Sequence, residues 1–78
     1  MANQNLEVKF EKTFDVGDFK TYTSTKINGV YARITYRFRG YHIDIYNENI
    51  QFGPRAQNNA KTLKEAKSVA VTMMKEEM

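Results

Sequence analysis

Asn28-Gly29, set between two runs rich in Thr, Tyr, Ile and Val, is the feature that most constrains this chain. A two-residue type I′ hairpin turn needs positive φ at both central residues, and Asn-Gly supplies it at little steric cost. Such a turn makes antiparallel neighbours of the flanking runs and sets their register. Counting outward, Ile27 faces Val30, Thr25 faces Ala32, Thr23 faces Ile34, Thr21 faces Tyr36 and Phe19 faces Phe38. Val30, Ala32, Ile34, Tyr36 and Phe38 then share one side of a strand. Tyr31, Arg33, Thr35 and Arg37 share the other. The same count puts three threonines on the apolar side, a conflict that a β-bulge turning Tyr22 inward would remove.

The neighbouring segments extend this pair into a meander. Arg39-Gly40 reads as the next turn, either two-residue or a type I turn with a Gly bulge, because Arg tolerates positive φ poorly. Tyr41 to Asn47 follows as a strand with Tyr41, Ile43 and Ile45 inward. Upstream, Leu6 to Phe14 alternates, with Leu6, Val8, Phe10 and Phe14 on one side and Lys12 snorkelling at the rim. Asp15-Val16-Gly17-Asp18 closes that hairpin. Between Asn47 and Phe52 two readings stand: a bulged continuation of the fourth strand, or a tight turn into a short fifth strand at Ile50 to Phe52. Gly53-Pro54 ends any strand there, and Arg55 to Lys61 reads as a polar loop.

Thr62 followed by Glu65 is a capping-box arrangement that opens a helix over 62–76. Leu63, Ala66, Val69, Ala70, Met73 and Met74 share its apolar arc, the two methionines as core filler rather than a binding stripe. One amphipathic helix after an antiparallel meander packs across the apolar face of the sheet. The expected fold is α+β: a four-stranded, or five-stranded, antiparallel meander covered on one face by a single C-terminal helix. One domain spans residues 1–78, with 1–5 frayed and the sheet in 6–52.

A chain of 78 residues buries only somewhat more than ~60% of its extended-chain surface, so stability is marginal. It has no cysteine, which removes disulfides and thiolate zinc sites and fits a reducing, cytoplasmic setting. No apolar run approaches the roughly 20 residues of a membrane span, and the first residues are unlike a signal peptide. A soluble protein without membrane contact is expected. The formal net charge of +3 is a weak pointer to polyanions.

If the helix covers one side, the register assigns the residues of the other: Lys20, Tyr22, Ser24 and Lys26; Tyr31, Arg33, Thr35, Arg37 and Arg39; His42, Asp44 and Tyr46. Cations and aromatic rings interleave there, as on sheets that bind nucleic acid, where Arg and Lys neutralise phosphates and aromatic planes stack on bases. Solvent faces of ordinary antiparallel sheets also use Thr, Tyr, Lys and Arg, and Glu7, Glu11, Asp44 and Glu48 dilute the field. His42 and Asp44, at i and i+2 on one face, are the only hint of catalysis or metal binding, and no further His or Cys exists to complete a ligand set. Asp15 and Asp18 lack calcium-loop spacing, and no phosphate-binding Gly-rich motif or nucleophile context is present. No enzyme, metal or cofactor is expected. Arg55, beside Gly53-Pro54, is a candidate anchor in a partner-contacting loop.

A sheet backed by a C-terminal helix, with Phe52 to Ala70 (FGPR, a polar loop, TLKEAKSVA) supplying the last strand and helix, resembles the small DNA-binding domains at the N-terminus of some phage integrases and in certain plant transcription factors. The extra strand Leu6 to Phe14 departs from that layout. The leading expectation is a binding module for DNA or RNA, with Lys20, Lys26, Arg33 and Arg37 on phosphate, Tyr22, Tyr31 and Tyr46 as stacking area, and His42 among them. The alternative, suggested by size alone, is a protein-binding regulator or inhibitor of the phage or mobile-element kind, such as an anti-CRISPR-like protein, using the same Tyr/Arg face as interface hot spots. An exposed edge strand is a further route to a partner or to a second copy.

Overall fold

The computed structural model describes residues 8–50 and 52–78. Strands β1 (Phe10–Asp15), β2 (Lys20–Ser24), β3 (Val30–Arg37), β4 (Gly40–Asn47) and β5 (Ala56–Ala60) form one antiparallel sheet in chain order, and helix α1 (Leu63–Glu77) follows. The fold is α+β, with the helix lying across β3, β4 and β5.

The Asn28-Gly29 turn forms as its chemistry requires, with φ of 52° and 83°. Ile27 and Val30 exchange two backbone hydrogen bonds of 2.9 Å. Gly29 is needed for space as well as φ, because a Cβ there would run into the Asn49 amide, which donates to the Asn28 carbonyl at 2.8 Å.

Beyond this turn the register slips. Ile27 pairs with Val30, yet Thr23 pairs with Arg33, so residues 24–26 lie against only 31 and 32. This is the bulge that relieves the threonine conflict. Ser24 turns inward, its hydroxyl accepts the buried Ala32 N–H at 2.8 Å and donates to the Thr25 carbonyl at 3.0 Å, replacing the interrupted ladder. The simple count is therefore corrected over all of β2. Tyr22 lies opposite Ile34 and Lys20 opposite Tyr36, on the helix side, while Thr21 and Thr23 join the outer face.

The next turn is also displaced by one residue. Arg37 pairs with Gly40, so Phe38 and Arg39 are the central residues, with φ of 53° and 60°. Phe38, expected inward, is 87% exposed. Cross-strand pairing outweighs turn propensity here, since this register sets Ile34 against Ile43, Ala32 against Ile45 and Tyr31 against Tyr46.

In β1 a bulge at Thr13 separates Lys12↔Tyr22 from Phe14↔Thr21. Val8 and Phe10 pack on the core as expected, but Phe14 swings to the outer face and is 49% exposed. Leu6, Glu7 and the expected frayed end 1–5 lie outside the described residues, as does Gln51 of the proposed Ile50 to Phe52 strand. The fifth strand instead occupies Ala56–Ala60, within the stretch expected to be a polar loop. Ala60 is buried and Ala56 packs against the core, so two small apolar residues four apart seat a segment whose amides carry no strand preference of their own.

The core is narrow. Ile34, Ile43 and Ile45 are fully buried beneath Ala66, Ala70 and Met74, a stripe of the helix at i, i+4 and i+8. Thr62 caps the helix by accepting the Glu65 N–H at 3.1 Å, while the Glu65 carboxylate reaches back to the Lys61 N–H at 3.1 Å. At the other end Glu77 accepts from Arg55 Nε at 3.2 Å and from Asn47 Nδ2 at 3.4 Å, tying the helix to the β4–β5 connection.

Ile43→Ala should destabilise the protein by about 2–5 kcal/mol, and Ser24→Ala by about 1–3 kcal/mol because it orphans a buried N–H. Thr21→Ala, on the open face, should change little. Urea unfolding midpoints check this ranking, and a Thr21→Ala loss larger than that of Ser24→Ala would restore the simple register.

Candidate binding face

Pairing across β2 to β5 sets out the face opposite the helix in rows. One row runs Thr23, Arg33, Asp44, Gln57, and a second runs Thr21, Thr35, His42, Asn59. Tyr31 lies beside Tyr46, and Arg37 stands at the β3–β4 hairpin end. Of the residues expected to form the site, Lys26, Tyr31, Arg33, Arg37, His42 and Tyr46 are brought to this face. Lys20 and Tyr22 are not, because the β2 bulge rotates them to the helix side. Arg55 is not either: its guanidinium meets Glu77 and its N–H donates to the Ile45 carbonyl at 2.7 Å. Arg55 closes a loop onto the helix end.

The face has two unlike halves. In the half away from the hairpin end, the Tyr31 and Tyr46 rings stack at 5.0 Å and 11°. Arg33 lies over Tyr46 and Lys26 over Tyr31, each 5.4 Å from the ring centroid. The ring faces are thus taken up by each other and by cations, leaving edges and hydroxyls to solvent. Lys26 is also paired with Glu48 at 3.0 Å, and Arg33 sits opposite Asp44 in the sheet. Charge in this half is locally balanced. Burial raises the Tyr46 hydroxyl above its ordinary pKa, helped by Asp44 and opposed by Arg33.

His42 and Asp44 are each held by an amide of the edge strand. His42 Nδ1 lies 2.8 Å from Asn59 Oδ1, and Gln57 Nε2 donates to Asp44 at 2.8 Å. Among the described residues no three His, Cys, Asp or Glu side chains come together as a metal site. Gln57 and Asn59 were hidden within the apparent loop. The only sequence trace of them is the Ala56 and Ala60 spacing that brackets the amides.

The half nearer the hairpin end is cationic. Arg37 and Arg39 are exposed and form no ion pair among the described residues. Phe19, Thr35, Arg37, His42, Asp44 and Gln57 line a shallow recess of about 330 Å³ on the outer face. Around the end of the sheet, Val16, Asp18, Phe19, Tyr36, Arg37, Phe38 and Arg39 line a second, of about 620 Å³. Phe19 and Arg37 line both, so the two recesses adjoin. Asp18 and Asp44 are the acids of the two linings; Asp15, close by in the β1–β2 turn, is engaged by Lys12 at 2.9 Å, which holds its carboxyl below the usual range. No helix among the described residues is long and apolar enough to cross a membrane.

Comparison with known proteins returned no matching protein family, no matching curated protein and no matching solved structure.

Ring resonances followed by NMR during alkaline titration should show Tyr46 ionising above ordinary tyrosine. Asp44→Asn should bring that transition down and Arg33→Ala should push it up. Because the folded-state pKa is the raised one, the associated stability is present below the unfolded tyrosine pKa and is lost as pH rises through the folded value.

Proposed function

We propose that this protein is a non-catalytic nucleic-acid-binding module whose contact surface is the hairpin-end half of the outer face. The observation that carries the reading is the contiguity of Arg37 and Arg39, neither in an ion pair with an acid among the described residues, with the polar row of Thr21, Thr35, His42 and Asn59 and with the two adjoining recesses. Arg and Lys bind phosphate oxygens with bidentate or point-charge contacts, and hydroxyl and amide groups add register along the backbone. The expected stacking role of Tyr31 and Tyr46 is withdrawn from the proposal, because their faces are already capped.

The balanced half supports a second reading. A rigid Arg33–Tyr46–Tyr31–Lys26 stack with matched charges has the composition of a protein-interface hot spot, and its side chains lose little freedom on binding. That arrangement suits a partner protein contacting the same sheet at its other half.

Fluorescence polarisation with labelled single-stranded and duplex oligonucleotides at several salt concentrations checks the nucleic-acid reading. Affinity should fall steeply with salt, and Arg37→Ala should reduce the log–log slope by about one unit. Lys75→Ala, on the far side of the helix, should leave the slope unchanged. Absence of salt-dependent binding to either form contradicts the proposal and leaves the protein-partner reading.

A further inference from the structure

We infer that the end recess, with Phe38 as its wall, receives one unstacked base of a single-stranded nucleic acid. This inference rests on the nucleic-acid reading above and goes beyond it by naming the strand form and the residue that selects it.

The first observation is the hairpin tip itself. Phe38 and Arg39 both hold left-handed backbone, φ 53° and 60°, which strains a non-glycine residue at each site and persists only where the surroundings enforce it. The chain builds its other two-residue turn from Asn28-Gly29, which meets the same requirement without that cost. At the tip the enforcing element is the paired length of β3 and β4, from Val30↔Asn47 to Arg37↔Gly40. Phe38 gains no burial in exchange, being 87% exposed.

The second observation is what surrounds the ring. The Arg37 guanidinium lies 5.3 Å from its centroid and covers one face, leaving the other to solvent. Phe38 lines the recess together with Val16, Phe19, Tyr36 and Arg37. Phe19, a second aromatic residue of the lining, is met edge-on by Phe14, centroids 5.7 Å apart at 83°. A volume of about 620 Å³ lies in the range of small-ligand clefts. Asp18, the one acid of the lining, is an acceptor for an N–H on a base edge, and Arg37 and Arg39 flank the ring where the adjoining phosphates would pass.

These features separate strand forms. A base within an intact duplex has both faces stacked and reaches the recess only by unstacking, whereas a single strand offers a base at little cost. Phosphate contacts alone would not discriminate in that direction, because a duplex presents the denser charge.

The test uses the full 78-residue chain with a fluorescein-labelled single-stranded deoxyoligonucleotide of about 12 nucleotides and the duplex of the same sequence. The single strand should bind more tightly than the duplex at equal salt. Phe38→Ala should weaken single-strand binding by roughly 5- to 150-fold, the equivalent of one lost base–aromatic stack, without changing the salt slope. Phe38→Asn is the diagnostic variant. Asn accepts left-handed backbone, so the melting temperature should rise by about 4 °C or more while single-strand affinity falls as for Ala. A merely structural role for Phe38 would move stability and binding together. Salt-dependent binding that is insensitive to both Phe38 variants, or equal affinity for duplex and single strand, overturns the base recess and spares the nucleic-acid reading. Failure of both oligonucleotides to bind overturns the two together.

Discussion

The close seating of Ala66 and Ala70 on Ile34, Ile43 and Ile45 is the contact on which the rest of the structure depends. Two alanines one turn apart let the helix approach the sheet, and Met74 fills the next turn with a flexible side chain suited to an irregular gap. In a domain of this size so small a core leaves little margin, and its position decides which side of the sheet is open. In β3 and β4 the outer-face residues Arg33, His42 and Asp44 are there because their neighbours Ala32, Ile34, Ile43 and Ile45 are buried in the core.

That sidedness was legible in β3 and β4, where strict alternation of Val30, Ala32, Ile34 against Tyr31, Arg33, Thr35 and of Ile43, Ile45 against His42, Asp44, Tyr46 leaves one solution. The helix was legible from Thr62, Glu65 and the 3.6-residue spacing of its apolar positions. In β2 the alternation is silent, because Thr, Tyr and Ser suit either face, and a single bulge at Ser24 reverses the strand. The side-chain hydroxyl that makes the bulge tolerable belongs to the smallest polar residue in the run. β5 was illegible for a different reason: Gln57, Asn58 and Asn59 favour loops, and only pairing with β4 and the amide contacts to His42 and Asp44 make them a strand. The Phe38-Arg39 turn was misplaced because local turn preference points to Gly40 while the isoleucine pairs across β3 and β4 demand the shorter register.

The redistribution changes what the face can do. Charge placed on it by a simple count was spread evenly, but the folded chain balances it in one half, through Lys26 with Glu48 and Arg33 beside Asp44, and concentrates it at the hairpin end. Aromatic area follows the same division. Tyr31 and Tyr46 are turned edge-out and capped by cations, whereas Phe38 keeps a free face beside two arginines. A surface that looked uniform in sequence is therefore a rigid, neutral ridge joined to a cationic tip with an aromatic wall.

Amide chemical-shift mapping during titration with a single-stranded oligonucleotide tests this division most directly. Perturbations confined to Phe19, Thr35, Arg37, Phe38, Arg39 and His42, with the helix positions Lys64, Ser68 and Lys75 silent, are the result the account predicts. Shifts centred on the helix, or spread evenly over both faces of the sheet, would contradict it.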